Sequence, residues 1–224
     1  MLINKGTAIS TSSILLVPYE ASHVPTYHEW MKDEKIQAET ASEPLTLEEE
    51  YAMQRSWRTD VDKLTFIAYS PPSMLGDVNL FLTPSPTPPS SPTSSSTPSH
   101  ITHHLTGELE LMIAPLPSRR RGHGRAAILA FLTYISAHLP AILAEYARGQ
   151  TPPLHSKGEG EEGEEEGDRV RLEGLRVKIG KGNIGSLALF RSLGFASREG
   201  GEEPNYFGEV ELWFDGEVGG MGMW

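Results

Sequence analysis

Two groups of residues in this 224-residue chain have types and spacings that can do chemistry. The first is Arg119-Arg120-Arg121-Gly122-His123-Gly124-Arg125-Ala126, between a strand-like segment (108–113) and a helix-like segment (126–139). Two glycines let backbone approach a ligand with no Cβ in the way. The first turn of the next helix leaves N–H groups unpaired and adds a positive dipole end. The arginines add charge and forked donors. Together these make an anion cradle suited to a pyrophosphate. The second group is Glu108 and Glu110, two residues apart and so on one face of a strand. Mutual repulsion would raise the pKa of one of them and suit it to a base near neutral pH. A pair of solvated strand carboxylates is the alternative.

The glycine spacing has a second reading. Gly122, Gly124 and Ala127 satisfy a loose dinucleotide-binding pattern, which needs an acidic residue about twenty positions on. Glu145 has nearly that spacing, but it lies in or just after a helical pattern instead of at a strand end.

Composition narrows the classes. The length suits one domain with a core. No run of eighteen apolar residues predicts a membrane span, and residues 1–13 lack the pattern of a secretory signal. The chain has no cysteine, which excludes disulfides, zinc–thiolate sites and a cysteine nucleophile and fits a reducing compartment. We expect a cytoplasmic protein, also allowed in the nucleus. The net charge is −11, but seven acids crowd between Glu159 and Asp168; setting them aside leaves −4. That Gly-rich acidic run reads as a solvated loop in preference to a metal site. No basic stripe suggests nucleic acid. A tract of Pro, Ser and Thr runs from Pro84 to Ser99, followed by His100, His103 and His104. It reads as exposed and disordered, with the histidines a polar loop end instead of metal ligands. We therefore expect one domain over 1–224 with disordered inserts at about 84–104 and 150–169.

Without the inserts the elements form a simple order. Strands are predicted at 14–17, 64–69, 76–82, 108–113, 175–179 and 206–214, and helices at 24–31, 47–57, 126–139 and 186–193. Pro71-Pro72 turns the second strand into the third. Thr46 with Glu49 forms a capping box, and Gly194 stops the last helix. Ile128, Leu132, Ile135 and Leu139 give one apolar helix face. The result is a mixed α/β layer with helices on both faces of a sheet.

The Arg-x-x-Gly-x-Gly form resembles the acetyl-coenzyme A loop of the GNAT acetyltransferases. Gly107 to Ile113, the Arg119 loop, Lys178 to Asn183 and Leu189 to Phe195 come in the order those enzymes use. Tyr27 to Met31, Thr40 to Gln54 and Gly76 to Phe81 are similar to the N-acetyltransferase 9 family of eukaryotes. The resemblance implies a GNAT fold, with a mixed central β-sheet, and acetyl transfer from acetyl-CoA to an amine of a protein or peptide, without metal, nucleic acid or membrane. It puts Glu108 where several such enzymes carry their base. It puts Met112 and Ile113 where main chain meets the pantetheine arm. It also implies cofactor contact by the Arg119 to Ala126 loop, by Asn183, which otherwise serves only as a helix cap, and by Phe190. At the last position many relatives carry a tyrosine that acts as an acid toward the leaving thiolate. Phe190 has no hydroxyl, and Tyr206 is a second candidate for that role. Without cysteine the transfer would be direct. The alternative is a catalytically weak GNAT-fold protein that acts by binding acetyl-CoA or a partner, such as a cytoskeletal one.

Overall fold

The computed structural model describes residues 1–85, 102–150, 169–198 and 203–214. Seven strands form one sheet in sequence order: β1 (Ile9–Ser10), β2 (Leu15–Pro18), β3 (Lys63–Ser70), β4 (Ser73–Pro84), β5 (Thr102–Ile113), β6 (Arg169–Gly180) and β7 (Glu209–Phe214). Every neighbouring pair is antiparallel except β5–β6. A parallel pair needs a crossover, and α4 (His123–Gly149) lies within it. The other helices are α1 (Val24–Trp30), α2 (Glu34–Thr40), α3 (Leu47–Thr59) and α5 (Ile184–Ser192).

Alternation along the strands sorts the chemistry onto two faces. Leu64, Phe66, Val78, Leu80, Leu109, Leu175 and Val177 pack with Phe131 and Ile135 of α4 and Leu187 and Phe190 of α5. Phe66 meets the rings of Phe131 and Tyr134 edge-on, with centroids 5.9 and 5.1 Å apart. Burying each such side chain contributes about 1.5–3 kcal/mol. The opposite face carries Ile67 and Met112, which pack with Tyr19, Val24, Tyr27 and Met31. It also carries Asp77, Asn79, Glu108 and Glu110.

Local signals account for much of this. Thr46 Oγ1 accepts from Glu49 N at 3.3 Å, and Thr46 N donates to Glu49 Oε2 at 2.8 Å, so the capping box starts α3. Gly194 takes φ +90 at the end of α5. Four expectations need correction. The short α2 was not anticipated, because it ends on Ala41 in the left-handed region with no glycine to mark the stop. Helix α4 runs past Leu139 through Pro140 to Gly149. By length and composition it is apolar enough to cross a membrane, but its apolar face packs on the sheet. Residues Thr102 to His104, expected in an insert, are strand, and His104 Nδ1 sits 2.6 Å from Glu173 Oε1. The last strand begins at Glu209, and Tyr206 and Phe207 lie in the turn before it, 97% and 81% exposed. Most of the two expected inserts lies outside the described residues.

Gly76 of β4 pairs with Ile113, and a Cβ there would sit 1.8 Å from the Met112 carbonyl oxygen. The obstacle is backbone, which cannot swing aside. We predict that Gly76→Ala costs about 1–3 kcal/mol and lowers the thermal midpoint by about 3–10 °C. Gly180→Ala, whose Cβ would meet nothing within 4 Å, should stay within about 0.5 kcal/mol of wild type. Calorimetric melting of both variants checks this, and equal midpoints would refute the close-approach argument.

Candidate active site

Strands β5 and β6 pair only from Thr102↔Arg169 to Glu108↔Arg176. Beyond that rung β5 continues to Ile113 on β4, and β6 continues to Gly180 on β7. The two strands therefore part, and the β5 edge from Leu109 to Ile113 has no strand beside it on the β6 side. Backbone polar groups need partners, so this edge is a ready docking line for an extended, amide-bearing ligand.

At the open end lies a cavity of about 390 Å³. Its wall includes Leu111, Met112 and Ile113 of β5; Ser118, Arg119, Arg120, Gly122, Gly124 and Arg125 of the loop and first turn of α4; and Asn183 with the start of α5. Gly122 takes φ +85 as the N-cap of α4, and no side chain caps that helix. The first intrahelical bond at this end runs from Ala126 N to Gly122 O at 3.0 Å. The N–H groups of His123, Gly124 and Arg125 precede it, at the positive end of a 27-residue helix. A Cβ on Gly124 would lie 3.1 Å from Leu111 Cδ2 and 3.4 Å from Leu189 Cδ2, so a side chain here would fill the cradle. These features fit a pyrophosphate and the arm attached to it.

The arginines have separate jobs. Arg119 Nε donates to Ile113 O at 2.7 Å, and its Nη1 meets Glu39 Oε2 of α2 at 3.0 Å, so it pins the tip of β5. Arg120 holds φ +62 and aims its guanidinium at Gly185, where a Cβ would lie 3.7 Å from Nη1. Arg125 ties α4 to Ser192 Oγ at 3.0 Å. Asn183 Oδ1 accepts from Ser186 N at 3.1 Å, so it caps α5 while also lining the cavity.

The structure thus brings Met112, Ile113, Arg119, Arg120, Gly122, Gly124, Arg125 and Asn183 together and leaves Arg121, His123, Ala126 and Phe190 out of the wall. His123 Nδ1 lies 3.2 Å from Ser118 O. Phe190 is a correction: it is 3% exposed and packs edge-on against Phe195 at 5.2 Å, in the core. Sequence reasoning missed Ile36, Glu39 and Thr40, because it missed α2.

On the other face the two glutamates differ. Arg176 Nη2 and Lys178 Nζ approach Glu108 Oε2 at 2.9 and 2.8 Å, and Arg176 Nε donates to the same oxygen at 2.9 Å. Glu110 makes no such pair among the described residues. Solvent reaches it from the open cleft, while protein crowds its other sides. Glu110 is an exposed residue, so the crowding on its sheet side raises it less than full burial would; that desolvation, then the charges of Asp77, Glu108 and Glu209, push its carboxyl up to about 7, and Lys178 opposes them. Behind it Asp77 is buried, its Oδ2 accepting from Asn79 Nδ2 at 2.9 Å and Tyr27 OH at 3.3 Å. Burial pushes Asp77 up to about 6 against those donors.

Residues 13–196 match the family model described as an acetyltransferase (GNAT) domain. The chain is 36% identical to an N-acetyltransferase 9-like protein of Schizosaccharomyces pombe, over 95% of this chain and 97% of that one. It is 38% identical to alpha/beta-tubulin-N-acetyltransferase 9 of Drosophila melanogaster, over 87% and 81%. In fold it resembles the RimL ribosomal L7/L12 alpha-N-protein acetyltransferase in complex with coenzyme A, with a TM-score of 0.54, 12% identity, and 92% and 94% covered. The chain belongs to the GNAT acetyltransferases and, within them, to the N-acetyltransferase 9-like family.

Replacing Gly124 with valine should weaken acetyl-CoA binding at least about tenfold, because the added side chain presses on Leu111 and Leu189 in the cavity wall and fills the cradle. Titration calorimetry reads this directly. Unchanged affinity would mean that the phosphates bind elsewhere.

Proposed function

We propose that this protein transfers the acetyl group of acetyl-CoA directly to an amine of a protein acceptor, with Glu110 as the base. Relatives carrying the name alpha/beta-tubulin-N-acetyltransferase 9 make tubulin the first acceptor to test. The observation that carries the reading is the parted β5–β6 pair, with an uncapped helix N-terminus at one side of the opening and an unpaired glutamate at the other.

Acetyl-CoA supplies an activated thioester. The cradle residues hold its pyrophosphate through main-chain N–H groups and arginine charge. The free edge of β5 orients the arm that carries the thioester. An amine attacks only when neutral, so a proton must leave it first or during attack. Glu110 accepts that proton from the acceptor nitrogen. The C–N bond forms as the C–S bond breaks, and the electron pair leaves with sulfur as a thiolate. With Phe190 in the core, this position offers no hydroxyl to that sulfur; a thiolate is stable enough to leave without one. Glu108 keeps a different duty: with Arg176 and Lys178 it holds the last rung before the strands part.

Glu110→Gln keeps shape and removes basicity, so turnover should fall about 10²–10⁴-fold while acetyl-CoA affinity holds. Because its surroundings push the carboxyl up to about 7, wild-type rate should rise with pH through neutrality as Glu110 loses its proton. The defect of the variant should shrink at high pH, where more amine is neutral unaided. Glu108→Gln should cost less. Steady-state acetylation of purified tubulin and of amine peptides decides the matter. A larger loss from Glu108→Gln would move the base to that residue. Less than a tenfold loss from either would favour a protein that acts by binding.

A further inference from the structure

Two carboxylates neighbour Glu110, and their surroundings are opposite. Glu108, on the same strand, spends its charge on Arg176 and Lys178. Asp77 lies on β4, opposite Met112, one step diagonal from Glu110, while Asn79 is directly opposite Glu110. Alternation puts all four on one sheet face, within reach of cross-strand coupling. Asp77 is 2% exposed, and the donors to its carboxylate, the side chains of Asn79 and Tyr27 and its own backbone N–H, are all neutral. The layer that covers it adds no cation next to it: Tyr19 and Tyr27 contribute phenols, and α3 contributes the buried Glu50. His28, the basic side chain in that layer, stands 3.9 Å from Glu50 Oε1. Asn79 Nδ2 is committed to Asp77, which fixes the amide orientation, and its buried Oδ1 is unpartnered.

We propose that Asp77 is a positioning residue for the proton transfer: an uncompensated buried carboxylate, fixed by Asn79 and Tyr27, whose field keeps the neighbouring Glu110 basic. This rests on Glu110 being the base. The physical reason is that the Asp77 carboxylate is itself buried, so its charge is screened less than a surface charge and opposes ionisation of the like group one strand away. The upward displacement of Glu110, with Asp77 as its largest charge contribution, agrees. The other groups facing Glu110 are Glu108 on β5, Lys178 on β6, Glu209 on β7 and Tyr27 on α1. Lys178 is the one that works against Asp77 among the groups acting on Glu110, and it is drawn to Glu108 at 2.8 Å. The open side of Glu110 is where an acceptor must sit, so its basicity is set from behind, by β4.

The test is the acidic limb of the pH–kcat profile, measured with acetyl-CoA and purified tubulin. Asp77→Asn removes the charge and keeps the shape. The limb should move down by about one unit, with the plateau rate lowered because the base is weaker. Tyr27→Phe removes one donor to the Asp77 anion, so Asp77 stays protonated to higher pH. The limb should move the same way by less, and this variant tests the idea even if Asp77→Asn does not fold. Glu50→Gln, one layer further out, should leave the limb in place. An unmoved limb in both Asp77→Asn and Tyr27→Phe overturns the inference. So does an equal shift in Glu50→Gln, which would indicate general loosening. Glu110→Gln separates the two levels of the argument. If it keeps the wild-type limb, the base assignment fails; if it abolishes the limb while Asp77→Asn leaves it alone, only the role of Asp77 is lost.

Discussion

The parting of β5 from β6 after the Glu108↔Arg176 rung is the constraint on which the rest depends. A continuous parallel pair would satisfy every backbone group and leave no edge to bind a ligand. Several contacts hold the gap. Leu111 and Leu189 close against Gly124 at the start of α4, Arg119 clamps the carbonyl of Ile113, and the Glu108 cluster ties the last paired rung. Glycine at 76 lets β4 follow the tip of β5 where a side chain would collide with Met112 O. The opening is thus built by packing and ion pairing on both faces and does not depend on a flexible loop.

Charge is distributed around that opening in a way that net charge hides. An acidic chain needs local cations to hold a pyrophosphate, and several here are already engaged: Arg119 by Glu39, Arg125 by Ser192, Arg176 and Lys178 by Glu108. The helix N-terminus contributes what side-chain cations do not, since its N–H groups are polarised and uncapped. On the opposite sheet face, among the described residues, Asp77 and Glu110 have no ion-pair partner, while Glu108 holds both Arg176 and Lys178.

What the sequence disclosed follows from how local each signal is. The Arg119 to Arg125 loop opening a helix, the Thr46–Glu49 box and the Gly194 stop are each written within a few residues, and as local structure each is present. Helix α2 was hidden because its end at Ala41 uses a residue that does not announce a left-handed turn. The extent of α4 was hidden because Pro140 suggests an end, while packing on the sheet carries the helix past it. Phe190 matched a cofactor position by spacing, yet its ring packs on Phe195 in the core. The choice between Glu108 and Glu110 could not be read from the strand, since parity puts both on one face. It depends on Arg176 and Lys178, which reach the site only after β6 has paired with β5.

That difference in range divides the site by function. The cofactor half is mostly one continuous segment, from the end of β5 through the first turn of α4, capped by Asn183. Its chemistry is main-chain donors and a helix end, which depend little on side-chain identity beyond glycine. The opposite face is assembled from α1, β4, β5, β6 and β7, and the charges there act on one another mostly across elements. A change at one of those positions alters a pKa or an ion pair several ångströms away without touching the cradle.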